Sequence, residues 1–210
     1  MEGYIDRIMQ IPILRNFDPI ELQSLIESGA HRFRKKKKGE HLAYEGDKLE
    51  EVILLLKGTV YTEMNYWTNK KFAVELFHAP CVLAPGFIYA KDSMLYVNVI
   101  TKTDCDILFI SQQTFSSLLR SNTSAMSDFV QLLSDRISRL CGRIHSLAML
   151  SLKERTLNYL EEHPIQSVEF ASIELGVDRT SLSRILSALK REKLVVRTMD
   201  GIELVKKTHD

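Results

Sequence analysis

The sequence has few cysteines, no long apolar run and almost no net charge, and each absence excludes a class of protein. Its three cysteines, Cys81, Cys105 and Cys141, lie far apart, so they form neither a disulfide framework nor a CxxC-type zinc site. No apolar run approaches the ~18 residues that a membrane span requires. The N-terminus has no small-residue cleavage site of a signal peptide. We therefore expect a cytoplasmic protein with no membrane partner.

The bulk composition is that of a globular chain. Its 210 residues allow one large or two small domains, and hydrophobic residues make up 45% and charged residues 26% of it. The net charge of +1 gives no sign of a nucleic-acid partner. Such a partner must therefore be argued from local clusters of charge.

The N-terminal half predicts one short helix and then a small barrel or sandwich of strands. In "FDPIELQSLIES", Asp18 can cap a helix that Pro19 opens, and its apolar stripe consists of Ile20, Leu22, Leu25 and Ile26. From about residue 31 to 110, short strand-like runs alternate with turn residues. The basic run "RKKKK" at 34–38 leads into a strand and a turn, so we interpret it as a solvated strand edge.

A heptad pattern follows the strands. The apolar residues are spaced 4, 3, 4, 3, 4 and 3 apart, which is an a/d seam over three heptads. A helix that packs only on its own domain is the alternative, but a 3.5 period of this length favours a partner helix and hence a homodimer. Phe129 and Leu132 lie off the seam and could anchor the helix to the barrel. The predicted dimer interface consists of Met126, Val130, Leu133, Ile137, Leu140, Ile144 and Leu147.

The C-terminal region predicts two short helices, a third and basic helix, and a hairpin. "SVEFASIELGV" ends at Gly176, and Asp178 can cap the basic helix that follows. Leu182, Ile185, Leu186 and Leu189 are spaced to form its buried face. In the tail, Asp200-Gly201 is a hairpin turn between two alternating strands. Two helices joined by a tight glycine turn and followed by a hairpin are typical of a winged helix-turn-helix.

The exposed side of the basic helix predicts contact with double-stranded DNA. Residues 179–197 contain six basic side chains and one acid, Glu192, a local charge of +5 (six minus one). An arginine in the major groove can bind guanine O6 and N7, while lysines and hydroxyls can meet phosphates. A solvated face of an ordinary three-helix module is the alternative. The predicted DNA-contacting residues are Arg179, Thr180, Ser181, Ser183, Arg184, Ser187, Lys190, Arg191, Lys193 and Arg197.

In this order, the segments resemble the catabolite-activator/FNR-type (CRP/FNR) family of bacterial transcription regulators. "KKKKGEHLAYEGDKLEEVILLLKGTV" is similar to the family's β-roll, and "TKTDCDILFISQQTFSSLL" to its last roll strand and the next helix. "GVDRTSLSRILSALKREKLV" resembles its recognition segment. The resemblance covers nearly the whole chain. It implies a homodimer that is not an enzyme, binds a palindromic DNA site and has RNA polymerase as a further candidate partner.

This resemblance assigns a fold class and three domains. The expected class is α+β, with a cyclic-nucleotide-binding-like β-roll at 1–120, a central dimerisation helix at 121–148 and a winged helix-turn-helix at 149–210. By position, Arg179 and Arg184 correspond to the family's DNA-contacting arginines. The residue after the first arginine is often an acid that reads cytosine, but here it is Thr180. The family's best-known half-site therefore cannot be assumed.

The sensor segment departs from the cyclic-nucleotide binders of the family. Those members hold the phosphate with a Gly-Glu pair and an Arg-Ser pair, where this chain has Ala84-Pro85 and Leu95-Tyr96. A buried phosphodiester without its arginine loses several kcal/mol, so cyclic AMP is not the expected effector. The residues that remain could line a pocket for an uncharged or aromatic effector, or they could simply fill the roll. They are Leu83, Phe87, Ile88, Tyr89, Leu95 and Tyr96.

Other cofactors and activities have weaker support. No cysteine precedes Cys81, so the N-terminal iron–sulfur cluster of FNR has no ligands here. Haem needs only one or two axial ligands, which "FHAPC" could supply from His78 and Cys81. A surface histidine and a small buried thiol are the simpler interpretation. A redox-sensing regulator of the same family is a further alternative. A cupin-like metal enzyme is an alternative of another class, but it would need a His/Glu ligand cluster that the sequence lacks. No metal site is expected.

Overall fold

The structure is a computed structural model, and it describes residues 2–65 and 71–205. The chain divides into two compact units. The first consists of Met1–Met64 and Leu76–Ser138, and the second of Asn65–Glu75 and Arg139–Asp210. No helix among the described residues is long and apolar enough to cross a membrane.

The described residues form the following elements. The α-helices are α1 (Glu2–Met9), α2 (Pro19–Ser28), α3 (Gln112–Ser121), α4 (Thr123–Met149), α5 (Leu152–Glu162), α6 (Val168–Glu174) and α7 (Arg179–Arg191). The strands are β1 (His31–Lys36), β2 (His41–Ala43), β3 (Glu51–Lys57), β4 (Thr59–Asn65), β5 (Lys71–His78), β6 (Cys81–Leu83), β7 (Asn98–Thr101), β8 (Cys105–Ser111), β9 (Val195–Arg197) and β10 (Ile202–Leu204). A 3₁₀ turn, Pro12–Leu14, lies between α1 and α2.

The strands before α3 form two four-stranded sheets. Their strand orders are β1-β8-β3-β6 and β2-β7-β4-β5. The pairs described in register are antiparallel, for example Ile53 of β3 opposite Phe109 of β8. This arrangement is a jelly-roll-like domain, and it confirms the sequence prediction of a small antiparallel β-structure after the first helix.

The strand β3 is apolar along its length because both of its faces are covered. Side chains alternate between faces with a period of two. Leu54 lies in a core that also contains residues of α1, α2 and α3. Its neighbours Ile53 and Leu55 face the opposite way, into a second core between the sheets. A strand covered on both faces reads as a continuous hydrophobic run, and β3 has no polar residue between Val52 and Leu56.

The N-terminal prediction is confirmed at helix α2, with one correction. Asp18 caps the helix by accepting hydrogen bonds from the backbone N–H groups of Ile20 and Glu21, and Pro19 opens it. Leu22 and Ile26 are buried, but the Ile20 side chain is 80% exposed. Ile20 sits in the first turn, before the helix meets the core, so it does not belong to the buried stripe.

The basic run 34–38 lies at a sheet edge, as its sequence context predicts. Strand β1 is the outermost strand of its sheet. Lys37 forms an ion pair with Asp104 at 2.7 Å, and Lys36 forms one with Glu40 at 3.3 Å. Lysines along an exposed edge discourage pairing with another chain.

The second unit contains α5, α6, α7 and the hairpin β9–β10 around a core of its own. Leu160, Leu182 and Leu189 are among its buried residues. Ser151 and Glu154 form a reciprocal capping box at the start of α5. Gly176 has a φ of +66°, which favours glycine, and it makes the turn between α6 and α7. The predicted hairpin is present, with Arg197 opposite Ile202.

Candidate functional site

Helix α7 has one buried apolar face and one exposed face that is basic. The predicted cap is confirmed, because Asp178 accepts a hydrogen bond from the backbone N–H of Ser181. Leu182, Leu186 and Leu189 are buried, whereas Ile185 is half-buried. The helix therefore packs on its unit through the predicted stripe and leaves the other side to solvent.

The structure places most of the predicted DNA-contacting side chains on this exposed surface. Arg179, Thr180, Arg184, Ser187, Lys190, Arg191, Lys193 and Arg197 are exposed, while Ser181 and Ser183 are half-buried. Two hydroxyls already have protein partners. Ser181 donates to Asp178 at 2.7 Å, and Ser187 donates to the Ser183 carbonyl at 2.8 Å. These two hydroxyls remain available to a ligand mainly as acceptors.

Among the described residues, no ion pair neutralises the cations of the basic surface. Its one acid, Glu192, pairs with Lys153 of α5 at 2.6 Å. None of the six basic residues forms an ion pair with another described residue. Sequence patterns did not reveal the role of Lys153, because it lies 39 positions from Glu192. The result is an unbalanced positive surface along α7 and β9.

Helix α7 ends in a conformation that is unusual for its residue type. Lys193 has a φ of +58°, and the Leu194 N–H donates to the Leu189 carbonyl at 3.0 Å. This is the Schellman ending, which usually places glycine in the left-handed position. A lysine there costs about 1–2 kcal/mol. Such strain at an exposed basic residue is typical of a position kept for its side chain.

The hairpin and α7 enclose a small groove. Its volume is about 160 Å³, and Ser187, Lys190 and Arg197 are among the residues that line it. Beyond the groove, the turn exposes Met199 completely. The hairpin, which is the predicted wing, therefore presents the basic residue Arg197 near α7 and the apolar residue Met199 at its tip.

Helix α4 contains the predicted seam, and most of the seam is exposed. Ile137 is 61% and Ile144 is 65% exposed in the single chain. Phe129 is buried in the first unit and Leu132 packs against the same core, as predicted. Leu133 departs from the pattern, because it is half-buried and also packs on that core. The 27-residue helix therefore exposes a row of apolar a/d residues, as expected for a seam that packs against a second helix.

The residues predicted to line an effector pocket are divided among three surroundings. Leu83 and Leu95 lie in the core between the sheets, where Phe87 packs against them at its border. Ile88 lies in the other core. Tyr89 and Tyr96 are exposed, and the Tyr89 hydroxyl lies 2.9 Å from Ser116 Oγ. The six side chains thus have different surroundings, and the pocket stays a prediction.

The segment around Ala84 keeps a glycine-like backbone without a glycine. Ala84 has a φ of +48°, at the position where the cyclic-nucleotide binders are expected to have glycine. Leu95, which replaces the expected arginine, is 1% exposed in an apolar core. An anionic phosphodiester at this place would meet hydrocarbon instead of a guanidinium.

The candidate haem and metal ligands are scattered. His78 is exposed, with Nδ1 3.3 Å from Thr59 Oγ1, and Cys81 is half-buried. Burial raises the pKa of the Cys105 thiol, which favours the less reactive neutral form. In the described part of the chain, no group of three or more His, Cys, Asp or Glu side chains could hold a metal ion. A haem site stays a prediction.

Comparison of the chain with known proteins and solved structures gives the class of protein to which its fold corresponds. Residues 33–122 match the family model of the cyclic nucleotide-binding domain. Among solved structures, the chain is similar to a transcriptional regulator from Thermotoga maritima, at 25% identity and a TM-score of 0.55 over 60% of this chain and 96% of that one. No curated protein matches the sequence.

Longer matches extend over both units. The c-di-GMP-responsive global regulator CLP of Xanthomonas campestris is 16% identical, with a TM-score of 0.67 over 90% of this chain and all of that one. A transcriptional regulator of the CRP/FNR family from Eubacterium rectale is 16% identical, with a TM-score of 0.63 over 94% of each chain. The chain has the fold of the CRP/FNR-type transcription regulators, and the resemblance predicted from its motifs is confirmed.

Proposed function

We propose that the protein is a homodimeric transcription regulator that binds a specific DNA sequence through α7. The observation that supports this most directly is the exposed basic surface of α7 and β9, whose six cations have no ion-pair partner among the described residues. A helix with this face fits the major groove, where Arg179 and Arg184 would read base edges. Lys190, Lys193 and Arg197 would meet phosphates.

The second unit then acts as a winged helix-turn-helix. Helices α6 and α7, joined at Gly176, form the helix-turn-helix, and β9–β10 forms the wing. The groove between α7 and the hairpin has Lys190 and Arg197 on its rim, where a phosphate would neutralise both. We propose the domain limits 1–120, 121–148 and 149–210 on the same grounds.

Two copies would associate along α4. The seam residues Val130, Ile137 and Ile144 are exposed, so a single chain leaves an apolar row in water that a second α4 would cover. A dimer with two α7 helices predicts a palindromic site, with half-sites about one helical turn apart. RNA polymerase is a further proposed partner, as the family resemblance implies.

The first unit would act as a sensor that does not use cyclic AMP. The buried Leu95 and the left-handed Ala84 replace the residues that hold a cyclic phosphate. Any effector would have to bind one packing arrangement of α4 more tightly than another. Phe129 of α4 contacts Tyr89 and Phe115 of this unit edge-on, which gives such a change a physical route.

The decisive experiment is selection of DNA from a random library by the purified protein without an added effector, in about 0.1 M salt to restrain non-specific binding. We expect a palindrome to be recovered. A variant with Arg179 and Arg184 both changed to alanine should recover none, while an Arg120→Ala control in α3 should recover the same site. Sequence-blind binding by the wild type and both variants alike would contradict the proposal.

A further inference from the structure

The second unit contains a cavity that is separate from the basic face of α7. It has a volume of about 200 Å³ and lies between the last turns of α4, helix α5 and the end of α6. Its charged and polar lining includes Arg143, Arg155, Asn158, Tyr159, Glu162 and Glu174, with Leu147 and Leu175 as apolar contacts. None of these residues belongs to the proposed DNA-contacting set.

Arg155 is the least satisfied polar group of this cavity. Its Nη1 donates to the Leu175 carbonyl at 2.7 Å, but its Nε is buried and has no hydrogen-bond acceptor. The guanidinium forms no ion pair with any described residue. Burial lowers the pKa of Arg155, because desolvation disfavours its charged form. An anionic group at this arginine would recover part of that cost.

Two carboxylates also line the cavity. Glu162 and Glu174 form no ion pair within the described ranges. Burial and the charge of Glu174 raise the pKa of Tyr159. The Glu174 carboxylate therefore acts electrostatically on the hydroxyl of a residue that lines the cavity. The lining thus contains groups of both signs, and Arg155 is its arginine without an ion pair among the described residues.

The distribution of charge restricts the kind of ligand. The two glutamates would repel a purely anionic molecule, and Arg155 would repel a purely cationic one. A molecule that bears both signs can face each group with its opposite. The volume lies below the ≈ 300–1,000 Å³ of pockets for drug-sized ligands, which indicates a small molecule.

We propose that this cavity binds a small zwitterion of the α-amino acid type. Its carboxylate accepts hydrogen bonds from Arg155 and from the amide of Asn158. Its ammonium group donates to Glu174 or Glu162, and its side chain packs against Leu147 and Leu175. The bound molecule joins α4, α5 and the end of α6. The proposal does not depend on DNA binding.

Isothermal titration of the full-length protein with L-leucine, L-glutamine and L-lysine tests the ligand class. At least one of them should bind with one site per chain. For that amino acid, the N-acetyl derivative, which has no ammonium group, and the amide derivative, which has no carboxylate, should each bind at least about tenfold more weakly, or ~1.4 kcal/mol. Absence of binding by all three amino acids, or equal binding of the derivatives, would overturn the proposal.

Two variants locate the site. Glu174→Gln changes an exposed side chain, so it should leave the melting temperature unchanged while weakening binding about tenfold. Arg155→Gln should abolish binding, and its circular dichroism shows whether the unit still folds. Arg120→Gln, an exposed arginine of α3, is the matched control and should bind as the wild type does. If Glu174→Gln and a folded Arg155→Gln both bound the amino acid with wild-type affinity, this cavity would be excluded as the binding site.

Discussion

Asp178 holds Ser181 at two points at the start of α7. Its Oδ1 accepts the backbone N–H of Ser181 at 2.9 Å, and its Oδ2 accepts the Ser181 hydroxyl at 2.7 Å. Because the cap fixes the first helical turn, it also fixes the direction in which Arg179 and Thr180 leave the helix. The residues proposed to read bases are therefore positioned by the carboxylate that caps the helix.

Removal of this cap should cost both stability and DNA affinity. We expect Asp178→Ala to lower the free energy of unfolding by about 1 kcal/mol, the usual loss of an N-cap side chain. Urea denaturation followed by circular dichroism measures the change, and a gel-shift titration measures the affinity. Asp178→Ser, which can still cap, is the matched control. Equal loss in Asp178→Ser and Asp178→Ala would show that the cap is not responsible.

Arg184 and Lys193 should affect DNA binding in different ways. Arg184→Ala should abolish specific binding, that is, the preference for the selected site over scrambled DNA, because a bidentate contact with guanine contributes about 1–3 kcal/mol of discrimination. Lys193→Ala should weaken binding to all sequences and reduce the salt dependence by about one counterion. Fluorescence anisotropy with specific and scrambled duplexes at several salt concentrations separates the two effects. Identical behaviour of the two variants would contradict the assignment of base and phosphate contacts.

Local patterns predicted the elements that depend on local chemistry. The caps at Asp18 and Asp178, the stripe of Leu182, Leu186 and Leu189, and the Asp200-Gly201 hairpin follow from spacing and residue type. These features involve residues within a few positions of one another, so the sequence alone displays them.

Features that depend on long-range packing could not be predicted in this way. The six residues of the expected effector pocket lie within one short segment, 83–96, yet Ile88 and Leu95 turn into different cores. Arg155 and Glu174 meet in one cavity only because α5 and α6 pack together. Periodicity places a side chain on a face of its own element, but it does not show what covers that face.

The pH dependence of the first unit should reflect Asp104. The hydrogen bond from the Lys37 side chain, followed by that from the Lys38 backbone N–H, lowers the pKa of Asp104 below its usual value of 3.8. A lowered pKa in the folded state gives stability that is present above the unfolded pKa and lost as pH falls toward the folded one. We expect the melting temperature to fall below about pH 4.

Calorimetric melts between neutral and acidic pH measure this loss. Asp104→Asn should lower the melting temperature at neutral pH and reduce its decrease in acid. Asp92→Asn, at a carboxylate that forms no ion pair in the described part of the chain, should follow the wild-type curve. If Asp104→Asn shows the full wild-type decrease, other carboxylates are responsible.

Dimerisation should depend on the exposed positions of the α4 seam. Ile137→Glu places a charge at the centre of the row, where desolvation in a helix pair is unfavourable. We expect the variant to be monomeric by light scattering and to lose affinity for a palindromic duplex. Ser138→Glu adds the same charge one position away from the seam and should remain dimeric. A dimeric Ile137→Glu would show that association uses another surface.

Lys193 provides a test in which stability and function change in opposite directions. Its φ of +58° suits glycine, so Lys193→Gly should raise the free energy of unfolding by about 1 kcal/mol through relief of the left-handed strain. The same change removes a cation from the end of α7 and should weaken DNA binding irrespective of sequence. Lys190→Gly, in the last turn of the same helix, also removes a cation but should destabilise by roughly 1 kcal/mol, because glycine disfavours a helix interior. Urea denaturation and fluorescence anisotropy on the same preparations give both quantities. If Lys193→Gly gained stability without any loss of DNA affinity, the left-handed lysine would have no role in binding, and the phosphate contact would have to be reassigned to its neighbours on α7.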